Sequence, residues 1–130
     1  MSLSKFYKFA VPGLLLLLVV VGHAQDKPEL TTAKLMEKKL HLSQAILAGI
    51  VKEDYAGIST NADRLLQLAK VEWIQKDTPE YREHLKDFWI VLEGLKSAAA
   101  DKNADGTTLA YVQMTLSCVK CHKYLRTPVN

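Results

Sequence analysis

Two cysteines and a histidine stand near the C-terminus as Cys118-Val119-Lys120-Cys121-His122, and the 130-residue chain has no other cysteine. On a helix turning about 100° per residue, positions i, i+3 and i+4 share one face. Both thiols and the imidazole are therefore expected to project together. Cys-x-x-Cys-His at this spacing is the attachment signature of c-type haem. Two thiols bond the porphyrin vinyl groups as thioethers, and the adjacent imidazole reaches the iron, which makes His122 the expected proximal ligand. Other chemistries for two cysteines fit less well. A redox dithiol belongs between a strand and a helix, whereas this pair lies near the end of an apparent helix. A structural zinc site takes about four protein ligands, and no further cysteine exists to supply them. A haem-free helical adaptor with a Cys118–Cys121 disulfide is the third-class alternative.

A second axial ligand has to come from upstream, because so little chain follows His122. Met114 stands on the same helix about 12 Å before His122 and cannot reach the opposite porphyrin face, so it is read as core or surface. Met36 is the distal candidate, with three readings open: an iron ligand, a pocket wall without a bond, or a core methionine filling a gap. His84 is expected level with the haem, as an iron or propionate partner or a surface histidine. His41, about 140° round the helix from Met36, is expected in solvent. Trp73 is read as a wall against the porphyrin or as plain core. Arg126, one turn beyond His122, is read as a propionate partner or as a cation favouring the helix C-terminus.

The elements that position these residues are four predicted helices. The first runs from about Glu29 to Val51, with Leu35, Leu42, Ile46 and Gly49 on one stripe and Met36, Leu40, Leu47 and Ile50 beside it. The second starts near Asp54 as N-cap and carries Ile58, Ala62, Leu65, Leu66, Ala69 and Trp73. Thr78 as N-cap and Pro79 at the first position open the third, which presents Tyr81, Leu85, Phe88, Leu92 and Leu95. Lys102 to Gly106 reads as a break, and the last helix is expected from about Thr107 to Leu125 through Leu109, Val112, Leu116, Cys118, Cys121 and His122. No strand-like alternation interrupts the pattern. Short connections between helices of this length predict an all-α, antiparallel up-down-up-down bundle. In that topology Met36, Trp73, His84 and His122 gather at one end, where the haem is expected.

The N-terminus reads as a secretory leader, residues 1–24. Lys5 and Lys8 form its basic region, Phe9 to Val21 its apolar stretch, and Gly22-His23-Ala24 a small-x-small cleavage site. The apolar run is short of the about 20 residues a membrane span needs, so cleavage after Ala24 and export to the periplasm are expected. His23 leaves with the leader, and Gln25 to Pro28 read as a frayed start. Residues 25–130 then form one domain, small enough that a bound cofactor in its core would matter to stability. The formal charge of +3 includes the two leader lysines. The mature chain is nearly neutral and offers no basic surface for nucleic acid.

In these residues the mature chain resembles the class II c-type cytochromes, the cytochrome c prime and c556 group. The resemblance rests on the exported four-helix pattern, Cys118-x-x-Cys121-His122 on the last helix, the basic Arg126 four residues later, Met36 on the first helix and Trp73 near the end of the second. It departs where the family often has an aromatic directly before the basic residue: here Leu125 holds that place, after Tyr124. The resemblance implies one covalent haem c per chain. A ligated Met36 would make a six-coordinate electron carrier with a redox partner protein. An unligated one would leave iron open to nitric oxide or carbon monoxide. It also implies a homodimer through the first two helices as one arrangement. No Ser-His-Asp set, glycine-rich phosphate loop or paired-carboxylate signature accompanies the haem motif, so no enzymatic activity is expected.

Overall fold

A computed structural model describes residues 31–75 and 78–127; the expected leader, its cleavage site after Ala24 and the stretch Gln25 to Pro28 lie outside them. The described residues are all-helical and hold no strand: α1 is Thr32–Val51, α2 Tyr55–Gln75, α3 Pro79–Ala100 and α4 Ala104–Arg126. None of these helices is long and apolar enough to cross a membrane. α1 packs on α2, α2 on α3 and α3 on α4, and the α1–α4 contact is the smallest.

The helix ends follow local chemistry. Thr31 caps α1, its hydroxyl accepting from the Lys34 N–H at 3.4 Å. Asp54 precedes α2, its carboxylate accepting from the Gly57 N–H at 2.9 Å. Pro79 opens α3, where the missing N–H costs nothing; Thr78 stands at the cap position without a side-chain bond. α1 and α3 are each followed by a residue of positive φ, Glu53 at 54° and Lys102 at 53°, the left-handed turn that closes many helices. The last helix starts earlier than its sequence suggests. Asn103 accepts from the Gly106 N–H at 2.9 Å, so the Asn-Ala-Asp-Gly string is a cap with a first turn rather than a break.

Most of the core follows the expected stripes. Ile46, Ile58, Ala62, Leu65, Leu66, Ala69, Tyr81, Leu85, Phe88, Leu92 and Leu95 are buried in one cluster with Ala99, Ala110 and Met114. Gly49 sits where α1 meets α2, and a Cβ there would stand 2.8 Å from Ile58 Cγ1, so the close approach needs glycine. α4 corrects the sequence reading. Its buried residues are Thr107, Ala110 and Met114, while Leu109, Val112 and Leu116 point outward with 49 to 61% of their surface exposed. Burial falls on the row that includes the small Thr107 and Ala110, against which neighbouring helices approach closely.

Candidate functional site

One cavity of about 570 Å³ brings most of the expected site residues together. Cys118, Cys121, His122 and Leu125 line it from α4, Met36, Lys39 and Leu40 from α1, Glu72 from α2, and His84, Leu85 and Phe88 from α3. Its volume falls within the roughly 300 to 1,000 Å³ usual for cofactor sites. The Cys-x-x-Cys-His spacing thus does what helical geometry requires, placing three reactive side chains on one wall while the other helices supply the facing walls.

Both cysteines are free. Burial is the main influence on each thiol and raises its pKa above the ordinary value. The Lys39 ammonium opposes that rise at Cys118, whereas the Glu72 carboxylate adds to it at Cys121. The net rise runs against the lowered pKa of an activated redox dithiol. Among the described residues no group of three or more His, Cys, Asp or Glu stands close enough to hold a metal ion by itself, so the zinc alternative has no ligand set there.

The site also contains a polar cluster that the sequence reading did not single out. Glu72 is 1% exposed. Its Oε2 takes a charge-assisted bond from Lys39 Nζ, and its Oε1 accepts from the Tyr81 hydroxyl. Lys39 also lies 5.3 Å from the centre of the Phe88 ring. A buried carboxylate is costly unless it is paired and hydrogen-bonded, and here both oxygens have partners. Burial and the bond to Glu72 push the Tyr81 hydroxyl far above its ordinary pKa. The signal was present in the sequence: Lys39 falls in the Leu35, Leu42, Ile46 row, and Glu72 continues Leu65 and Ala69. Opposite charges in core register on adjacent helices are a pairing pattern. Higher on the wall, Ser43 and Tyr111 share a hydrogen bond of 3.4 Å.

The remaining candidates separate. Met36 is half-buried and lines the α1 wall. His84 lines the cavity from α3, its ring 4.9 Å from that of Tyr124. Trp73 does not line the cavity. It lies against Trp89, ring centroids 5.0 Å apart, with the Arg82 guanidinium 5.3 Å from its ring. Arg126 is exposed in the last turn of α4 and is not among the cavity residues. Met114 is fully buried core. His41 is exposed, 3.9 Å from Glu37.

The residues present suit a porphyrin: apolar walls from Met36, Leu40, Leu85, Phe88 and Leu125, two free thiols at attachment spacing, and an imidazole beside them. No family model, curated protein or solved structure matches this chain.

Proposed function

We propose that this chain is an exported c-type haem protein of the class II cytochrome kind, working in periplasmic electron transfer with a redox partner protein. The observation that carries the reading is the convergence of Cys118, Cys121, His122 and Met36 on one largely apolar cavity of cofactor size. The leader ending at Ala24 supplies the route out of the cytoplasm. Cross-helix pairs support the antiparallel up-down-up-down order: Lys39 with Glu72, Lys96 with Asp63, and Lys120 with Asp87.

When bound, haem supplies a one-electron couple whose potential is set by axial ligands, burial and nearby hydrogen bonds. The chain's part is to hold and tune it. Cys118 and Cys121 would hold the haem covalently, and His122 would ligate its iron. The buried Leu85 and Phe88 would keep water from the porphyrin. The Lys39–Glu72 pair places a compensated charge in the wall, so neither partner is left buried alone. Met36, on the α1 wall, would supply a second ligand to the iron; in the alternative it would be a lid over iron left open to nitric oxide or carbon monoxide.

A haem stain on a denaturing gel, with protein made alongside the maturation machinery, tests the first step. A covalent signal is expected; a mass equal to the apo chain less two hydrogens would instead mean a Cys118–Cys121 disulfide and would sink the reading. Absorption and magnetic circular dichroism spectra test the second step. A ligated Met36 gives low-spin iron, and Met36→Ala then turns high-spin, lowers the potential and gains rapid carbon monoxide binding. If Met36 is a lid, only the on-rates rise. No change in spectrum, potential or on-rate would remove Met36 and bring His84 forward.

A further inference from the structure

The outward face of α4 carries a row that reads the same from both ends. Asp105, Leu109, Val112, Leu116, Val119 and Lys123 follow one another in alternating steps of four and three residues, the heptad spacing of a helix seam. All six are exposed, and the four apolar members show 49 to 61% of their surface. The row is centred on the level of Met114. An antiparallel second copy therefore sets Leu109 against Val119, Val112 against Leu116, and Asp105 against Lys123, each contact occurring twice about a two-fold axis. We propose that this face binds a second copy of the same chain, forming an isologous dimer along α4.

Charge complementarity and local shape select that occupant. Acid at one end and base at the other suit the row to its own reversed copy, and antiparallel packing also opposes the two helix dipoles. In a parallel pair, like charges would face each other at both ends. Asp105 and Lys123 each favour their own helix terminus whatever binds, but that role leaves the four apolar side chains between them unaccounted for. A groove between α3 and α4, lined by Ile90, Val91, Leu116 and Val119, lies at the Lys123 end of the row. It is placed to receive Leu109 of the second copy as a knob.

The row is about 27 Å long. With Ile90, itself 62% exposed, it offers a contact on the order of the 1,000 Å² that a specific interface needs. α1 also exposes Leu40, Leu47 and Val51, but Gln44 interrupts that row, and Glu37 at one end meets no base at the other. Cys118 projects about 180° away from Leu109 around α4, so this dimer leaves both cavities uncovered. The inference does not rest on the haem reading.

Sedimentation equilibrium of the purified protein tests it, with far-ultraviolet circular dichroism showing that each variant is folded. The native chain is expected to dimerise with a dissociation constant on the order of micromolar to tens of micromolar, as befits an interface of this size. Leu116→Asp should be monomeric. Asp105→Lys and Lys123→Asp should each weaken the dimer on the order of tenfold, since each reverses two contacts per dimer. The double variant should recover native affinity. A native chain that stays monomeric at ~200 μM, well above that range, overturns the proposal, whether or not it binds lipid vesicles. So does a dimer that Leu116→Asp leaves intact, or a charge swap that restores nothing.

Discussion

The inward face of α4 buries Thr107, Ala110 and Met114 and brings Cys118 and Cys121 to the cavity, whereas its outward face exposes Leu109, Val112, Leu116 and Val119. Hydrophobicity alone would have turned the helix the other way. The smaller side chains lie inside, where α3 packs closely on α4. The larger ones are left outside at seam spacing. A helix that is apolar on both faces can bury only one of them against its own bundle.

Substitutions on the two faces should part sharply. Replacing both Cys118 and Cys121 by alanine removes every covalent anchor, so haem staining on a denaturing gel should vanish. Leu116→Asp on the outer face should keep it in full. Retained covalent haem in the double alanine variant would detach the site from this wall. Next in size is Met114→Ala, which opens a hole in a fully buried position and should cost about 2 to 5 kcal/mol in urea unfolding. Leu109→Ala, measured at concentrations where the chain is monomeric, should change stability by less than about 0.5 kcal/mol. Equal effects would mean that the two faces are not distinct.

The cavity wall facing α4 gives a smaller but more specific effect. Lys39→Met leaves the Glu72 carboxylate buried with only Tyr81 as partner. Breaking a fully buried pair costs about 3 to 5 kcal/mol. The Lys39 side chain is 14% exposed, so about 2 kcal/mol is expected. Pairing it with Glu72→Leu should recover most of that loss, because the apolar replacement removes the stranded charge. A double variant no more stable than Lys39→Met would show that the pair is not the source of the cost.

The smallest effect is a slope with pH. Tyr81 has a folded pKa raised far above its unfolded value of about 10. Its contribution is complete below about pH 10, where the unfolded tyrosine also keeps its proton. Above that pH the unfolded chain releases the proton and the folded chain does not, so stability falls by about 1.4 kcal/mol per pH unit from this group. Chemical denaturation between pH 9 and 11 should show a shallower decline in Tyr81→Phe. Parallel curves would mean that Tyr81 ionises equally in both states.

The sequence by itself determined the local features of the fold and the anchor of the site. Apolar periodicity marked the helices, Pro79 marked the start of α3, and the three-residue and one-residue steps of Cys118, Cys121 and His122 put reactive groups on one wall, because these depend only on helical pitch and local sterics. Lys39 and Glu72 stood in core register and were legible, though each gains meaning only from the other across two helices. Tertiary structure alone decided which of the two apolar rows of α4 went inside, and that Trp73 stacks on Trp89 instead of lining the cavity beside Met36 and His84, whose place at this end the helix order already implied. Periodicity fixes the spacing of a row along its own helix. The rotation of that helix in the bundle is set by how closely neighbouring backbones can approach, a property no single segment encodes.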